Sequence, residues 1–138
     1  MKRNINHKRI IGIGSRRVVY NQNNGYVLKK ARSKSGVRSN FREVKIFKFA
    51  PAKVKKHLGY IHKYGGGFGW LVMKRYPLQF KKTRKNMRKL FALKAKFRRC
   101  GLVPYEVTTN RGGPNFNNIR QKTNGVIVII DYGNFRFD

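Results

Sequence analysis

The apolar positions of this chain change period twice. The runs Ile10–Ile13, Val18–Tyr20 and Tyr26–Leu28 are short and separated by turn chemistry, so "RIIGIGSRRVVYNQNNGYVLKKA" predicts a β-hairpin or meander. Asn24-Gly25 is the strongest hairpin signal, because both residues tolerate positive φ. "RSKSG" breaks the pattern, and from Asn40 the spacing lengthens. Phe41, Val44 and Phe47, with Val37 one turn earlier, predict an amphipathic helix that Pro51 stops. The polar stretch "KVKKHLGYIHKYGGGFG" follows, and its glycines Gly65–Gly67 require a loop or hairpin tip. "WLVMKRY" is a further strand, ended by Pro77. Residues 83–100 predict a second helix with Met87, Leu90, Phe91 and Phe97 on one side and Gly101 as its stop. After the turn-rich "RGGPNFNN", the unbroken apolar run of "GVIVII" predicts a strand buried on both faces. The order is roughly βββ-α-ββ-α-β-β, without internal repeats. It predicts an α+β fold with an antiparallel sheet and two main helices.

Length and composition add bounds to that picture. The 138 residues suit one domain, 1–138, with a basic and flexible N-terminal segment at 1–9. An apolar fraction of 40% supplies a core, so disorder throughout is not expected. The single cysteine, Cys100, excludes an internal disulfide, and neither a disulfide-linked partner nor an oxidising compartment is expected. "MKRNINHKRI" lacks the apolar segment of a secretory signal, and no apolar run reaches the ~18 residues that span a bilayer. The expectation is a soluble intracellular protein, cytoplasmic, or of the host cell or virion if viral. His7, His57 and His62 are not at metal-ligand spacing and form no zinc site with one cysteine.

Charge changes the picture most. With 34 Lys and Arg against 4 Asp and Glu, the formal charge is +30, which a bound polyanion would relieve. Ten of the nineteen residues from Lys81 to Arg99 are basic. The candidate nucleic-acid contacts on that segment are Lys81, Lys82, Arg84, Lys85, Arg88 and Lys89, followed by Lys96, Arg98 and Arg99. Lys55 and Lys56, within 53–56, support them, as does segment 29–38. RNA or a ribonucleoprotein is expected ahead of DNA; an acidic protein, an anionic membrane or a merely solvated basic surface are the alternatives. Tyr60, Tyr64 and Phe68, beside Lys55, Lys56, His57 and Lys63, either stack on exposed bases or cover the helix behind them. Trp70 is expected in the core.

Against this background each acid requires a reason. Glu43 either forms intrahelical pairs with Arg42, Lys45 and Lys48 or is a partner for Lys29. Asp131 ends the apolar run, where it is either a turn residue before Gly133 or a Mg²⁺ ligand. Gly12 and Gly14 either form a plain hairpin tip or let the backbone approach a phosphate.

Taken in order, these residues resemble the protein-kinase-like family. "GIGSRRVVY" is similar to its glycine loop, with Arg17 where the third glycine normally sits. "YVLKKARSKSGVRSNFREVKIF" resembles the lysine strand and following helix of small kinase-like proteins of bacteria and their phages. "WLVMKRY" looks like the strand entering the hinge, and "VIVIIDYG" like the metal-binding Asp motif. The resemblance, from Ile10 to Phe135, implies a truncated kinase-like fold with ATP and Mg²⁺ as cofactors. Lys29 would hold the α- and β-phosphates and Glu43 would orient it. The loop at Gly12 and Gly14 would cover the phosphates, and Asp131 with Asn118 or Asn115 would hold the metal. If Asn118 is the metal-binding Asn, Gly113 stands at the position of the catalytic base; if Asn115 is, Glu106 is a displaced base. Seven residues follow Asp131, so the resemblance implies no activation segment and no helical C-lobe. These departures predict a catalytically impaired, pseudokinase-like protein that binds a polyanion. The alternatives are an active ATP-dependent phosphotransferase and a structural component that neutralises nucleic acid in a virion or ribonucleoprotein.

Overall fold

The structure, a computed structural model, describes residues 9–138; His7 and nearly all of the 1–9 segment lie outside the described residues. Strands β1 (Arg9–Ile13), β2 (Arg17–Asn21) and β3 (Tyr26–Ala31) form the expected antiparallel meander. β4 (Ile61–Tyr64) and β5 (Trp70–Lys74) extend it to a five-stranded antiparallel sheet in the order β1-β2-β3-β5-β4. Helix α1 (Lys34–Phe49) packs on β3, β4 and β5. The short α2 (Ala52–Lys55) follows, inside the stretch that the sequence pattern leaves polar. Helix α3 (Arg84–Arg99) leads to β6 (Leu102–Val103), which pairs with β9 (Arg136–Phe137), while β7 (Ile119–Gln121) pairs with β8 (Ile127–Ile129). Both long helices have 16 residues, and β8 is buried throughout. One buried apolar cluster runs through the molecule, from Val27, Leu71 and Met73 of the sheet to Leu90 and Phe97 of α3 and on to Ile127, Tyr132 and Phe135.

Local rules explain where the elements stop. Ser33 caps α1 by accepting from the Gly36 N–H, and Thr83 caps α3 by accepting from the Asn86 N–H. Gly101, at φ +84°, ends α3 as expected. Gly36 lies inside α1 because no side chain fits there: an added Cβ would sit 2.1 Å from the Arg16 carbonyl oxygen. The start of α1 therefore lies directly against the β1–β2 turn.

Four expectations need correction. The β2–β3 turn places positive φ at Asn23 and Gly25, not at Asn24, whose side chain instead accepts from the Tyr26 N–H. In α1 the buried face carries Gly36, Ser39, Asn40, Glu43, Val44 and Ile46, whereas Phe41 is 45% exposed. The helix is rotated away from its apolar stripe because Glu43 must face the sheet. In α3, Leu93 joins Leu90 and Phe97 in the core, and Phe91 lies outside under the Lys94 ammonium. Trp70 is not in the core but 37% exposed. Alternation along β5 sends Leu71 and Met73 inward and leaves Trp70 on the opposite face, against Gly65.

The triple glycine does form a hairpin tip, yet the left-handed residue there is Phe68, at φ 59°. Its neighbours hold that costly conformation. The Phe68 ring stacks on Tyr64 and meets Phe41 edge-on, and its carbonyl accepts from Asn40 Nδ2. Tyr60 meets Phe47 edge-on. These aromatics cover α1, which is the second of the two readings given for them. Among the described residues, no helix is long and apolar enough to cross a membrane.

Candidate functional site

A cleft of about 740 Å³ opens between the sheet and the β7–β8 hairpin. Gly12 of β1 and Gly14 of the β1–β2 turn line one side together with Arg75 to Pro77, which follow β5, and Asn118, Arg120 and Asp131 line the side opposite. Three of the four acids of the chain, Glu43, Glu106 and Asp131, belong to this region or its wall.

Glu43 is the centre of the cluster. Its position on the inner face of α1 aims the carboxylate at β3, where strand alternation turns Lys29 inward. Lys29 Nζ donates to Glu43 Oε1 at 3.1 Å and to Oε2 at 3.3 Å, and also to the Ile130 carbonyl. Arg17, at the start of β2, approaches from the other side. Its guanidinium donates to Oε1 at 2.8 Å and Oε2 at 3.1 Å in a fork-to-fork pair. The Tyr132 N–H donates to Oε2 at 2.9 Å, so all the acceptor capacity of the carboxylate is used. The intrahelical pairing with Arg42, Lys45 and Lys48 is not formed, since Glu43 is fully buried.

Burial alone would raise the Glu43 carboxyl, but the charges of Arg17 and Lys29 and the bonds from Arg17 and Tyr132 outweigh it and hold the group at about 2. Burial would likewise lower Arg17, yet Glu43 and then Asp131 raise it well above its ordinary value. Lys29 is held below its ordinary value because burial, with repulsion from Arg17, prevails over attraction to Glu43.

Asp131 follows β8 at the mouth of this cluster, with its side chain 47% exposed. Arg17 Nη2 donates to Asp131 Oδ1 at 2.9 Å, so one guanidinium bridges both carboxylates. Next in the chain, Tyr132 is fully buried and donates its hydroxyl to the Gly59 carbonyl. Gly133 lies so close to α1 that a Cβ would be 3.0 Å from the Ser39 carbonyl oxygen. This close packing fixes the Asp131 backbone against the helix that carries Glu43.

The remaining candidates separate. Asn118 is buried, faces the cleft, and donates its amide to the Glu106 carbonyl at 3.0 Å. Asn115 is not on the cleft wall; its backbone N–H donates to the Val107 carbonyl. Glu106, at φ 62°, lines the cleft and accepts from Asn134 Nδ2. Gly113 lies in the preceding loop, its carbonyl bonded to the Thr109 N–H.

Without a substrate, the residues of the cleft offer a divalent cation few free donors, chiefly Asp131 Oδ2 with Asn118 beside it. Mg²⁺ takes near-octahedral oxygen ligands, of which one or two are free carboxylates. Here Glu43 is saturated, Asp131 gives one of its two oxygens to Arg17, and Glu106 is bonded to Asn134. Among the described residues, no group of three or more His, Cys, Asp or Glu could hold a metal ion. The residue that sequence reasoning undervalued is Arg17. Its signal was a basic side chain at the third position of a glycine loop, in a chain with two otherwise unexplained acids.

The basic candidates lie elsewhere. On α3, Arg84, Lys85, Arg88, Lys89, Arg98 and Arg99 are exposed, as are Lys81 and Lys82 before it, while Lys96 is half-buried. α2 packs beside α3, bringing exposed Lys56 and half-buried Lys55 to that side. Burial holds His57 below its ordinary value against the bond to the Ile127 carbonyl, and the charges of Lys56, Lys96 and Lys122 add to the lowering. Lys122, in the β7–β8 turn, was not among the expected contacts. Within segment 29–38, Lys29 is buried in the cleft cluster and belongs to no surface patch.

No protein-family model matches the sequence, and no curated protein matches it. Among solved structures, the chain is similar to the bifunctional kinase-methyltransferase WbdD, with 17% identity and a TM-score of 0.60 over 88% of this chain. It is also similar to the Lpg2603 kinase of Legionella pneumophila bound to IP6, with 15% identity and a TM-score of 0.63 over 96% of this chain. The chain spans 30% of the first protein and 51% of the second. The fold is kinase-like: a mixed α/β arrangement with a five-stranded antiparallel sheet.

Proposed function

We propose that this chain is a kinase-like protein that holds a nucleoside triphosphate, ATP by resemblance, in the cleft and a polyanion on the α3 face. The formed Lys29–Glu43 pair carries the first part. It lies at the floor of the cleft under the Gly12–Gly14 turn, with Asn118 and Asp131 opposite. A lysine held there is placed to meet phosphate oxygens by charge and hydrogen bond. Catalysis is impaired in this reading: a glycine at the position of the base accepts no proton, and the Glu106 carboxylate is engaged by Asn134.

The test is a thermal shift with ATP on the parent and on Lys29→Ala, each compared with its own ligand-free transition. At 100-fold excess over Kd the parent should gain about 2.7 kcal/mol, and Lys29→Ala should gain little. An unshifted parent overturns the nucleotide reading. Phosphate release or transfer that disappears in Glu106→Gln would instead support an active phosphotransferase, a reading that the position of Glu106 on the cleft wall favours.

The exposed cations of α3, with no acid on that helix, support the second part. RNA or a ribonucleoprotein is the polyanion of choice, with contacts to phosphates that position without reading sequence. If six to ten phosphates are met, affinity should fall on the order of 10³–10⁵-fold between 50 and 200 mM salt. A flat response overturns the electrostatic reading. One neighbour is bound to IP6, so IP6 is a useful competitor in the same titration. Co-purification of nucleic acid with the protein from its native source would support a structural, charge-neutralising role in a virion or ribonucleoprotein.

A further inference from the structure

Arg17 bonds to Asp131, the acid that the family resemblance makes a metal ligand. It is 8% exposed, and its two terminal nitrogens make four bonds, to Asn40, twice to Glu43 and to Asp131. Every one of those partners presents an oxygen, at 2.8–3.1 Å. The bond to Asp131 spans 114 positions of sequence, so the β1–β2 turn is tied to the far wall of the cleft. Arg17 and Lys29 balance Glu43 and Asp131 one for one. Around this neutral cluster the cleft wall adds Arg16, Lys74, Arg75 and Arg120 against the single acid Glu106, so its remaining field is positive.

We infer that the Arg17 guanidinium takes the place of the divalent cation, so that the cleft binds nucleoside triphosphate without one. The inference rests on the nucleotide reading above. A guanidinium does part of what a divalent cation does at a carboxylate: it neutralises the charge and fixes the orientation of the oxygens. It does so permanently, because Glu43 and Asn40 hold it from behind. The triphosphate then meets Lys29, Arg16 and the other wall cations directly, and the Asp131 carboxylate is no longer a repelling charge. A divalent cation entering at Asp131 would find Oδ1 already bonded to Arg17, so that only Oδ2 is left to it, and would meet like charge from Arg17, Lys29 and Arg16.

The experiment pairs the parent with Arg17→Met, which keeps the length and apolar stem, and with Arg17→Gly, which opens the turn. Retention of a cooperative unfolding transition by circular dichroism qualifies each variant. ATP affinity is measured by calorimetry in EDTA and in excess Mg²⁺, and Mn²⁺ binding alone by the loss of its free electron paramagnetic resonance signal. In the parent the two ATP affinities should agree within about threefold, whereas Mg²⁺ should strengthen binding to Arg17→Met by about tenfold or more. Mn²⁺ should leave the parent signal unchanged and bind Arg17→Met, and Asp131→Asn in that background should abolish it. A parent whose ATP affinity falls about tenfold in EDTA, or which binds Mn²⁺ as the variant does, overturns the inference and leaves the nucleotide reading standing. ATP binding to none of the three proteins in either buffer overturns the nucleotide reading and this inference with it.

Discussion

The cleft and the outer face of α3 both carry positive charge, but they use it in opposite ways. In the cleft, Arg17 and Lys29 are buried, and each is matched to a carboxylate at hydrogen-bond distance. On α3, Arg84, Lys85, Arg88 and Lys89 are exposed, and the helix carries no acid at all. Charges of the first kind act through geometry and are expensive to unbalance. Those of the second act through their sum and are individually replaceable. Of its four acids the chain has placed two, Glu43 and Asp131, where buried cations need partners, and it has left α3 uncompensated.

The sharpest way to break this contrast is Glu43→Gln. It keeps the volume but leaves Arg17 and Lys29 buried with only Asp131 between them, a half-exposed partner. Removing one member of such a cluster costs about 3–5 kcal/mol, and chemical denaturation should show the midpoint falling without a change in slope. A loss below about 1 kcal/mol would mean that water reaches the cluster and that the cleft charges behave like those on α3.

Acid is a milder probe of the same difference. Glu43 is lowered from 4.5 to about 2, so its contribution to stability is complete above pH 4.5 and is lost as pH falls through about 2. In that window the unfolded chain binds the proton that the folded chain refuses, so stability must fall with pH. The total is on the order of 3 kcal/mol. Denaturant midpoints from pH 7 down to pH 2 should decline in the parent, and the decline should be smaller in Glu43→Gln. Parallel declines in the two proteins would assign the acid sensitivity to other groups.

How legible these regions were differs for physical reasons. The sheet and both long helices followed from period and turn chemistry, because burial of one face per element dictates those patterns. α3 was legible as a charge run, since composition alone shows a sum. The Lys29–Glu43 pairing was one of two readings, and no local rule chose between them: fourteen positions separate the residues, and only the packing of α1 on β3 unites them. The rotation of α1 was misread for the same reason. Its buried face contains Ser39, Asn40 and Glu43, which a hydrophobicity pattern assigns to solvent. Arg17 was visible only as a departure at a glycine position; its bond to Asp131 crosses 114 residues and leaves no local trace. Phe68 is a further case. Three neighbouring glycines invite the positive φ, but the aromatic packing of Phe68 on Tyr64 and Phe41 places it one residue later.

The smallest expected effect on stability lies on α3 and gives the contrast its other limb. Lys85→Ser, Arg88→Ser and Lys89→Ser remove exposed cations, and of these Lys89 alone has a bond, 3.3 Å from its ammonium to the Gly125 carbonyl. Each should change stability by no more than about 0.5 kcal/mol, with a slight gain where like-charged neighbours at four-residue spacing, such as Lys85 and Lys89, no longer repel. The polyanion titration should respond instead. If each cation meets one phosphate of single-stranded RNA, each loss should make the log–log salt slope shallower by about 0.7. Three substitutions should therefore make the salt slope shallower together while the melting curve barely moves, because each cation is solvated and none is matched to a buried carboxylate. A strongly destabilised triple variant, or an unchanged salt slope, would show that α3 charges are structural and that the division between matched and summed charge does not hold.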